Sequence, residues 1–257
     1  MNIKAYLERV GLSDQDISRD IEFLKKLQYA HILCVPYENL DILNGEPLSL
    51  ECEDLYRKIV VNRRGGYCFE VNGLLSYFLK EIGFEVHNYA ARYLRGEQDI
   101  PVRRHRVLSV KCDDGYYLCD VGIGQIAPKH PLKIEEGIVQ EQFGEVYRFE
   151  KDGFYGWKLC ELHKGEWRPF YAFTEEEQLD IDFIQPSFYC EKHHSSPFNK
   201  DIIVAIKTEQ GRKTLNGNEY KVFSGEELSY IEENLSAERR YEVLEKEFGI
   251  IWRYRGE

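Results

Sequence analysis

The periodicity of the chain changes character at Phe84, and that change limits what it can fold into. Before it, apolar residues recur at helical spacing. In DIEFLKKLQYAHIL, Ile21, Leu24, Leu27 and Ile32 fall near one face, and the pattern stops before Pro36. LSLECEDLYRKIV can carry a second helix, and a third begins around Cys68 and runs through FEVNGLLSYFLKEIGF to a stop at Gly83. After it, FEVHNYAARYL, HRVLSVKC, YYLCDVG, GEVYRFE, YGWKLCEL and WRPFYAF are short, rich in β-branched and aromatic residues, and divided by Gly and Asp turns. Such a series suggests an antiparallel sheet curled into a small barrel. From about residue 186 the texture mixes. DIIVAIKT and EYKVFS read as strands, whereas SGEELSYIEENL and SAERRYEVLEKEFGI read as helices, opened by a Ser224/Glu227 capping box and by Ser236 as N-cap. The expected class is α+β: helical over 1–83, a β-barrel over 84–185, and α/β over 186–257. No Gly/Ser linker or repeat separates the regions, so they are expected to pack as one unit.

Composition narrows the function. With 43% hydrophobic and 14% aromatic residues, the 257-residue chain can build a sizeable core. A formal net charge of −11 argues against a general nucleic-acid or anionic-membrane binder, so an anionic ligand must meet a local basic patch. No apolar run approaches the roughly 18 residues of a membrane span. The opening MNIKAYLERVGLSDQD lacks the apolar segment of a signal peptide, so a cytoplasmic location is expected. Seven cysteines at 34, 52, 68, 112, 119, 160 and 190 form no C-x-x-C pair, which suggests neither a disulfide framework nor a zinc site. His193-His194 stand at a spacing that suits neither one helix face nor one strand face, so no metal is expected.

Chemistry concentrates in RRGGYCFEVNGLL, residues 63–75. Gly65-Gly66 allow a sharp turn into the helix. A thiol in the first helical turn lies near unpaired N–H groups and the positive end of the dipole, which favour thiolate, and Arg63 and Arg64 would add to that field. A small, buried, inert cysteine is the alternative. A reactive thiolate needs an imidazole and a group to orient it, and HRVLSVKCDDGYYLCDVG supplies both. A two-residue loop at Asp113-Asp114 pairs Cys112 with Gly115, sets His105 opposite Gly122, and makes Asp120 its diagonal neighbour on the same face. Diagonal partners lie about 7–8 Å apart at Cα, within imidazole–carboxylate reach. A pairing shifted by one residue would turn the two side chains to opposite faces. Singly, His105 among Arg103, Arg104 and Arg106 reads as a surface residue and Asp120 as a strand-end carboxylate. Together with Cys68 they supply what nucleophilic acyl transfer requires.

The chain resembles the arylamine N-acetyltransferases, which move acetyl from acetyl-CoA to aromatic amines and hydrazines. The matching stretches are HILCVPYENL (31–40), RRGGYCFEVNGLL (63–75), HRVLSV (105–110), DVGIG (120–124) followed by Pro128 and Pro131-Leu132, and HHSSPF (193–198), in the family's order. The resemblance implies a helical bundle, a barrel and an α/β lid, with Cys68 as nucleophile, His105 as its proton partner and Asp120 as orienter. It implies ping-pong chemistry through an acetyl-cysteine, with oxyanion donors from the N–H of Cys68 and one near Arg103. It places Val102, Arg104 and Gly124 along the CoA path, and Tyr37, Tyr93, Ile123 and Phe198 around the acceptor. The Arg103-Arg104-Arg106 cluster offers positive charge for CoA phosphates. Ile123 stands where relatives commonly carry an aromatic residue, Ser187 where many have Asn, and Lys192-His193-His194 where a Thr-His-Pro-like run is usual. An amide synthase of the same fold, a papain-like or transglutaminase-like hydrolase, and a silent binding module remain alternatives. The physiological acceptor, the acyl preference beyond acetyl and the oligomeric state are not encoded in these motifs.

Overall fold

Asn2 and Asp20 open the first two helices, their side-chain oxygens accepting the N–H of Ala5 (3.1 Å) and of Phe23 (2.8 Å). These bonds satisfy donors that a helix start leaves unpaired. The computed structural model describes residues 1–255. The first part comprises α1 (Ile3–Arg9), α2 (Ile21–Cys34), β1 (Tyr37–Glu38), α3 (Leu40–Leu43), α4 (Cys52–Tyr56) and α5 (Cys68–Glu81), with α4 running on as a π turn over Arg57–Val61. The second comprises β2 (Val86–Tyr93), β3 (Arg103–Cys112), β4 (Gly115–Cys119), β5 (Leu132–Lys133), β6 (Val139–Gln142), β7 (Glu145–Asp152), β8 (Gly156–His163) and β9 (Glu166–Glu177). The third comprises α6 (Ile184–Lys192), β10 (Ile203–Lys207), β11 (Gly211–Asn216), β12 (Glu219–Ser224), β13 (Glu227–Glu232) and α7 (Ala237–Phe248). Residues 256 and 257, assigned to the third region by sequence, lie outside the described residues.

The fold is a helical bundle, an antiparallel barrel-like sheet and an α/β lid. Leu24 and Leu27 of α2 and Leu74, Leu75, Phe78 and Leu79 of α5 share one buried cluster with Leu108 and Val110 of β3. The bundle thus uses a barrel strand as part of its own core. The eight-stranded sheet has the order β5-β4-β3-β2-β9-β8-β7-β6. Its two edges are bridged by side chains: Gln140 of β6 bonds both the N–H and the carbonyl of Lys133 in β5 (2.8 and 2.9 Å). Glutamine can supply donor and acceptor together, which lets it imitate a missing strand partner. Phe149, Leu159, Phe170, Tyr171 and Phe173 form a second buried cluster within the sheet.

The lid sheet has the order β1-β10-β11-β12-β13. Its first strand comes from the helical region, so residues 1–83 are not wholly helical as expected. Tyr37 pairs with Ala205 and Glu38 with Val204. α7 packs Val243, Leu244 and Phe248 against Val204, Leu215 and Tyr220, and Ser236 caps it as expected, accepting from Arg239 N. The helix expected over SGEELSYIEENL does not form; the segment is a hairpin in which Ser224 pairs with Glu227. Gly225 takes a left-handed φ of 57° at its turn, where glycine carries no Cβ penalty. A capping box and the residues flanking a two-residue loop have the same i, i+3 spacing, so the motif misled. Strand β11 and helix α6 were not anticipated either; GRKTLN is polar, and Pro186 lies inside α6.

Candidate active site

The Gly65-Gly66 turn is shaped by crowding. Neither glycine has a positive φ, but a Cβ on Gly65 would lie 1.9 Å from the Pro36 carbonyl oxygen, and one on Gly66 would lie 2.8 Å from Glu70 Cβ. The turn lies against β1, with Glu38 N donating to Gly66 O (3.0 Å) and Gly66 N to Pro36 O (3.3 Å). Of the arginines before it, Arg64 is drawn onto carboxylates and Arg63 is exposed. Arg64 forks onto Glu38 (3.0 and 2.7 Å) and also reaches Asp41 (2.7 Å), and the Arg63 carbonyl accepts from Arg9 (3.4 Å). Lys58 bridges Asp41 and Glu70 at 2.7 Å each, while the other oxygen of Glu70 accepts the Tyr67 N–H (3.1 Å). Three carboxylates thus share two cations beneath the start of α5. Burial pushes the Glu70 carboxyl up to about 7, against the opposing pull of Lys58.

Cys68 is the first residue of α5, with Tyr67 extended at the N-cap. It is 2% exposed, and its thiol donates to the Arg104 carbonyl (Sγ–O 3.7 Å). Burial, then the neighbouring Cys190, push this thiol well above the usual range. That direction is opposite to the helix-mouth expectation, because loss of water outweighs the end of the dipole.

The expected hairpin register is observed from Cys112–Gly115 to Leu108–Cys119. Beyond it the chain leaves β4, and the buried Asp120 turns its Oδ2 to His105 Nε2 at 2.7 Å. A carboxylate accepts, so Nε2 carries the proton and Nδ1 is the imidazole nitrogen left for the cavity. The Tyr171 ring meets the imidazole edge-on at 5.4 Å between centroids. The other oxygen of Asp120 accepts from Asn72 Nδ2 (2.9 Å) and Gly122 N (2.8 Å). Burial alone would raise this carboxyl, but His105, Asn72 and the Gly122 N–H together hold it below its ordinary value.

Asn72 was not singled out by sequence, although its place one turn after Cys68 on the same helix face was a signal. Its Nδ2 also donates to Arg106 O (2.6 Å), and its Oδ1 accepts the Val121 N–H (2.9 Å). Gln28, buried on α2, accepts from Asp120 N (3.3 Å) and donates to Pro128 O (2.8 Å). Gly122 closes against α5, where a Cβ would sit 2.6 Å from Asn72 Nδ2 and 2.7 Å from Cys68 Cα.

These groups border a cavity of about 250 Å³. Tyr37, Cys68, Tyr93, Arg104, His105, Ile123, Gly124 and Phe198 all line it, and the β3 geometry explains how two consecutive residues do so. Ala91 pairs with His105 and Arg92 with Arg103, leaving Arg104 as a bulge, which re-aims side chains at a sheet margin. Val102 does not line the cavity and is 44% exposed. Nor do the arginines form one phosphate-facing cluster. Arg103 pairs with Glu176 (3.1 Å) and Arg104 with Glu97 (3.0 Å). Arg106 is fully buried on Asn88 and Asp180, with its guanidinium 4.5 Å from the Phe183 ring centroid.

A thiol at a helix start and a carboxylate-held imidazole border one cavity, and cysteine acyl transfer is chemistry that such groups can perform. A family described as N-acetyltransferase matches residues 20–254. Over 97% of its length the chain is 37% identical to the arylamine N-acetyltransferase of Mycolicibacterium smegmatis, spanning 92% of that protein. It is 30% identical to the arylamine N-acetyltransferase / N-hydroxyarylamine O-acetyltransferase of Salmonella typhimurium, over 90% of this chain and 82% of that one. Among solved structures, the M. smegmatis enzyme superposes with a TM-score of 0.91, covering 97% of this chain and 92% of that one at 37% identity. The Mycobacterium marinum arylamine N-acetyltransferase in complex with CoA superposes with a TM-score of 0.88, covering 97% and 93% at 32% identity. The chain belongs to the arylamine N-acetyltransferase family.

Proposed function

We propose that this protein transfers acetyl from acetyl-CoA to arylamines or hydrazines through an acetyl-cysteine at Cys68. The observation that carries the reading is the buried His105–Asp120 pair at 2.7 Å, with His105 lining the same cavity as Cys68. Asp120 keeps the proton on Nε2, so Nδ1 can accept the Cys68 proton when acetyl-CoA arrives. The thiolate then attacks the thioester carbon. The tetrahedral oxyanion is met by the N–H of Cys68, one of the first donors of α5 and without an intrahelical acceptor. Collapse expels the CoA thiolate, which takes the proton from His105. In the second half the amine attacks the acetyl-Cys68 carbonyl, His105 accepts the amine proton, and the amide leaves as the thiol reforms. One thioester replaces another in the first half, so that step is nearly isoenergetic.

Tyr37, Tyr93, Ile123 and Phe198 give the cavity the apolar wall that an aromatic amine would pack against. Arg104 and Gly124 border the same space and are assigned to the CoA side; the CoA complex of the M. marinum relative supports a CoA substrate here. Incubation with acetyl-CoA followed by intact-mass and peptide analysis tests the proposal. One acetyl group confined to Cys68, absent in Cys68→Ala and discharged by an arylamine, is the expected result. No acetylation, with peptide cleavage instead, would overturn it in favour of a cysteine hydrolase.

A further inference from the structure

Cys190 is a second nucleophilic group near Cys68 that the mechanism does not use. It lies on α6, fully buried, and shares one apolar cluster with Tyr67, Cys68, Phe69 and Phe183. α6 is fastened there by Ser187, whose hydroxyl meets Tyr67 OH at 2.6 Å. Ser187 and Cys190 stand three residues apart on one helical face, so the face that grips the residue before Cys68 also carries the second thiol. The cavity reaches Cys68 but not Cys190. Burial pushes the Cys190 thiol up to about 12, so it stays protonated near neutral pH. An oxidant entering the cavity therefore meets Cys68 first, with a second free thiol in the same buried cluster.

We propose that Cys190 is a resolving cysteine: under peroxide it closes a disulfide with Cys68 and keeps that sulfur from irreversible oxidation. In the first step the Cys68 thiolate attacks hydrogen peroxide and the O–O bond breaks. Sulfur is oxidised by two electrons to the sulfenic acid, and the leaving hydroxide takes the original thiol proton to become water. In the second step the Cys190 sulfur attacks the Cys68 sulfur and the S–O bond breaks. The departing hydroxide leaves as water with the Cys190 proton, and His105 on the cavity wall can relay that proton. Cys190 is a slow nucleophile while protonated, but its fixed neighbour has no competing thiol within the same cluster. The proposal rests on Cys68 being the reactive sulfur of the cavity, yet its readout is chemical mass and not acetyl transfer.

Wild type and Cys190→Ala are treated with hydrogen peroxide, blocked with N-ethylmaleimide and mapped by mass spectrometry. Wild type should lose two hydrogens, yield a linked Cys68–Cys190 peptide, and recover free Cys68 on adding dithiothreitol. Cys190→Ala should instead gain two oxygens at Cys68, with no recovery. Sulfinic acid on wild-type Cys68 formed as fast as in Cys190→Ala, with no linked peptide, overturns the proposal; so does a disulfide from Cys68 to any other cysteine. The wild-type peptide map alone decides the matter if the variant fails to fold. Absence of acetylation by acetyl-CoA, with the linked peptide still formed, would count against the transferase reading and leave this one standing.

Discussion

Asn72, one helical turn beyond Cys68, donates to Oδ1 of Asp120 at 2.9 Å. The helix that presents the sulfur therefore also holds the carboxylate that orients the imidazole. The same amide binds Arg106 O and Val121 N, so replacing it with alanine takes a bond from three buried polar groups, of which Asp120 Oδ1 keeps the Gly122 N–H. At about 1–3 kcal/mol for an unsatisfied buried group, Asn72→Ala should destabilise the fold by a few kcal/mol. The expected result is a urea midpoint well below wild type and a lower kcat at temperatures where the variant remains folded.

Asp120→Asn should act on the tautomer. The variant's Oδ1 keeps accepting from Asn72 and Gly122, which turns an NH2 group toward His105 Nε2 and makes that nitrogen the acceptor. Nδ1 then carries the proton and cannot take one from Cys68. Turnover should fall by about three to four orders of magnitude, with far-UV circular dichroism unchanged. A nearly wild-type rate would show that Asp120 does not set the tautomer of His105.

Gly122→Ala tests close packing. Its Cβ would meet Asn72 Nδ2 and the Cys68 backbone within 2.7 Å, so α5 and the Asp120 turn must separate. Activity should be lost together with several degrees of melting temperature, whereas Gly153→Ala, whose Cβ meets nothing within 4 Å, should leave both near wild type.

How much of this was readable beforehand depended on whether the relevant contacts were local. The hairpin register around Asp113-Asp114 followed from turn chemistry, and with it the meeting of His105 and Asp120. The barrel strands were betrayed by β-branched and aromatic runs. β1 is only two residues long and exists because β10 pairs with it, so no local pattern could reveal it. Arg106 looked like a member of a basic surface, yet Asn88 and Asp180 draw it into the interior. Lys58, Glu70, Asp41, Arg64 and Glu38 are scattered over the first 70 residues, and only folding assembles them into a charge network.

That network makes stability depend on pH. A carboxyl whose folded pKa is raised binds its proton more tightly when folded, so Glu70 favours the fold at low pH. The advantage is lost as pH rises from its ordinary 4.5 through about 7, a difference of at most about 3 kcal/mol. Asp120 works the other way: its lowered carboxyl favours the fold above the ordinary range and loses that contribution as pH falls below about 4. Glu70→Gln should therefore flatten the decline in melting temperature between pH 5 and about pH 7. An unchanged slope would mean that Glu70 stays charged throughout.

Thiol labelling checks the role of His105. Cys34 and Cys52 are half-buried and the other five cysteines are buried, so access alone would favour labelling the first two. If His105 takes the Cys68 proton, iodoacetamide should nevertheless modify Cys68 fastest near neutral pH. In His105→Ala that preference should vanish, and Cys68 labelling should climb only in alkaline buffer, since burial holds the lone thiol protonated.

The pairing of β1 with β10 on one side and with the Gly65-Gly66 turn on the other has a consequence for synthesis. During translation the stretch leading into Cys68 emerges well over a hundred residues before the strand that braces it. The turn that leads into α5 thus gains its full bracing only after β10 has been made.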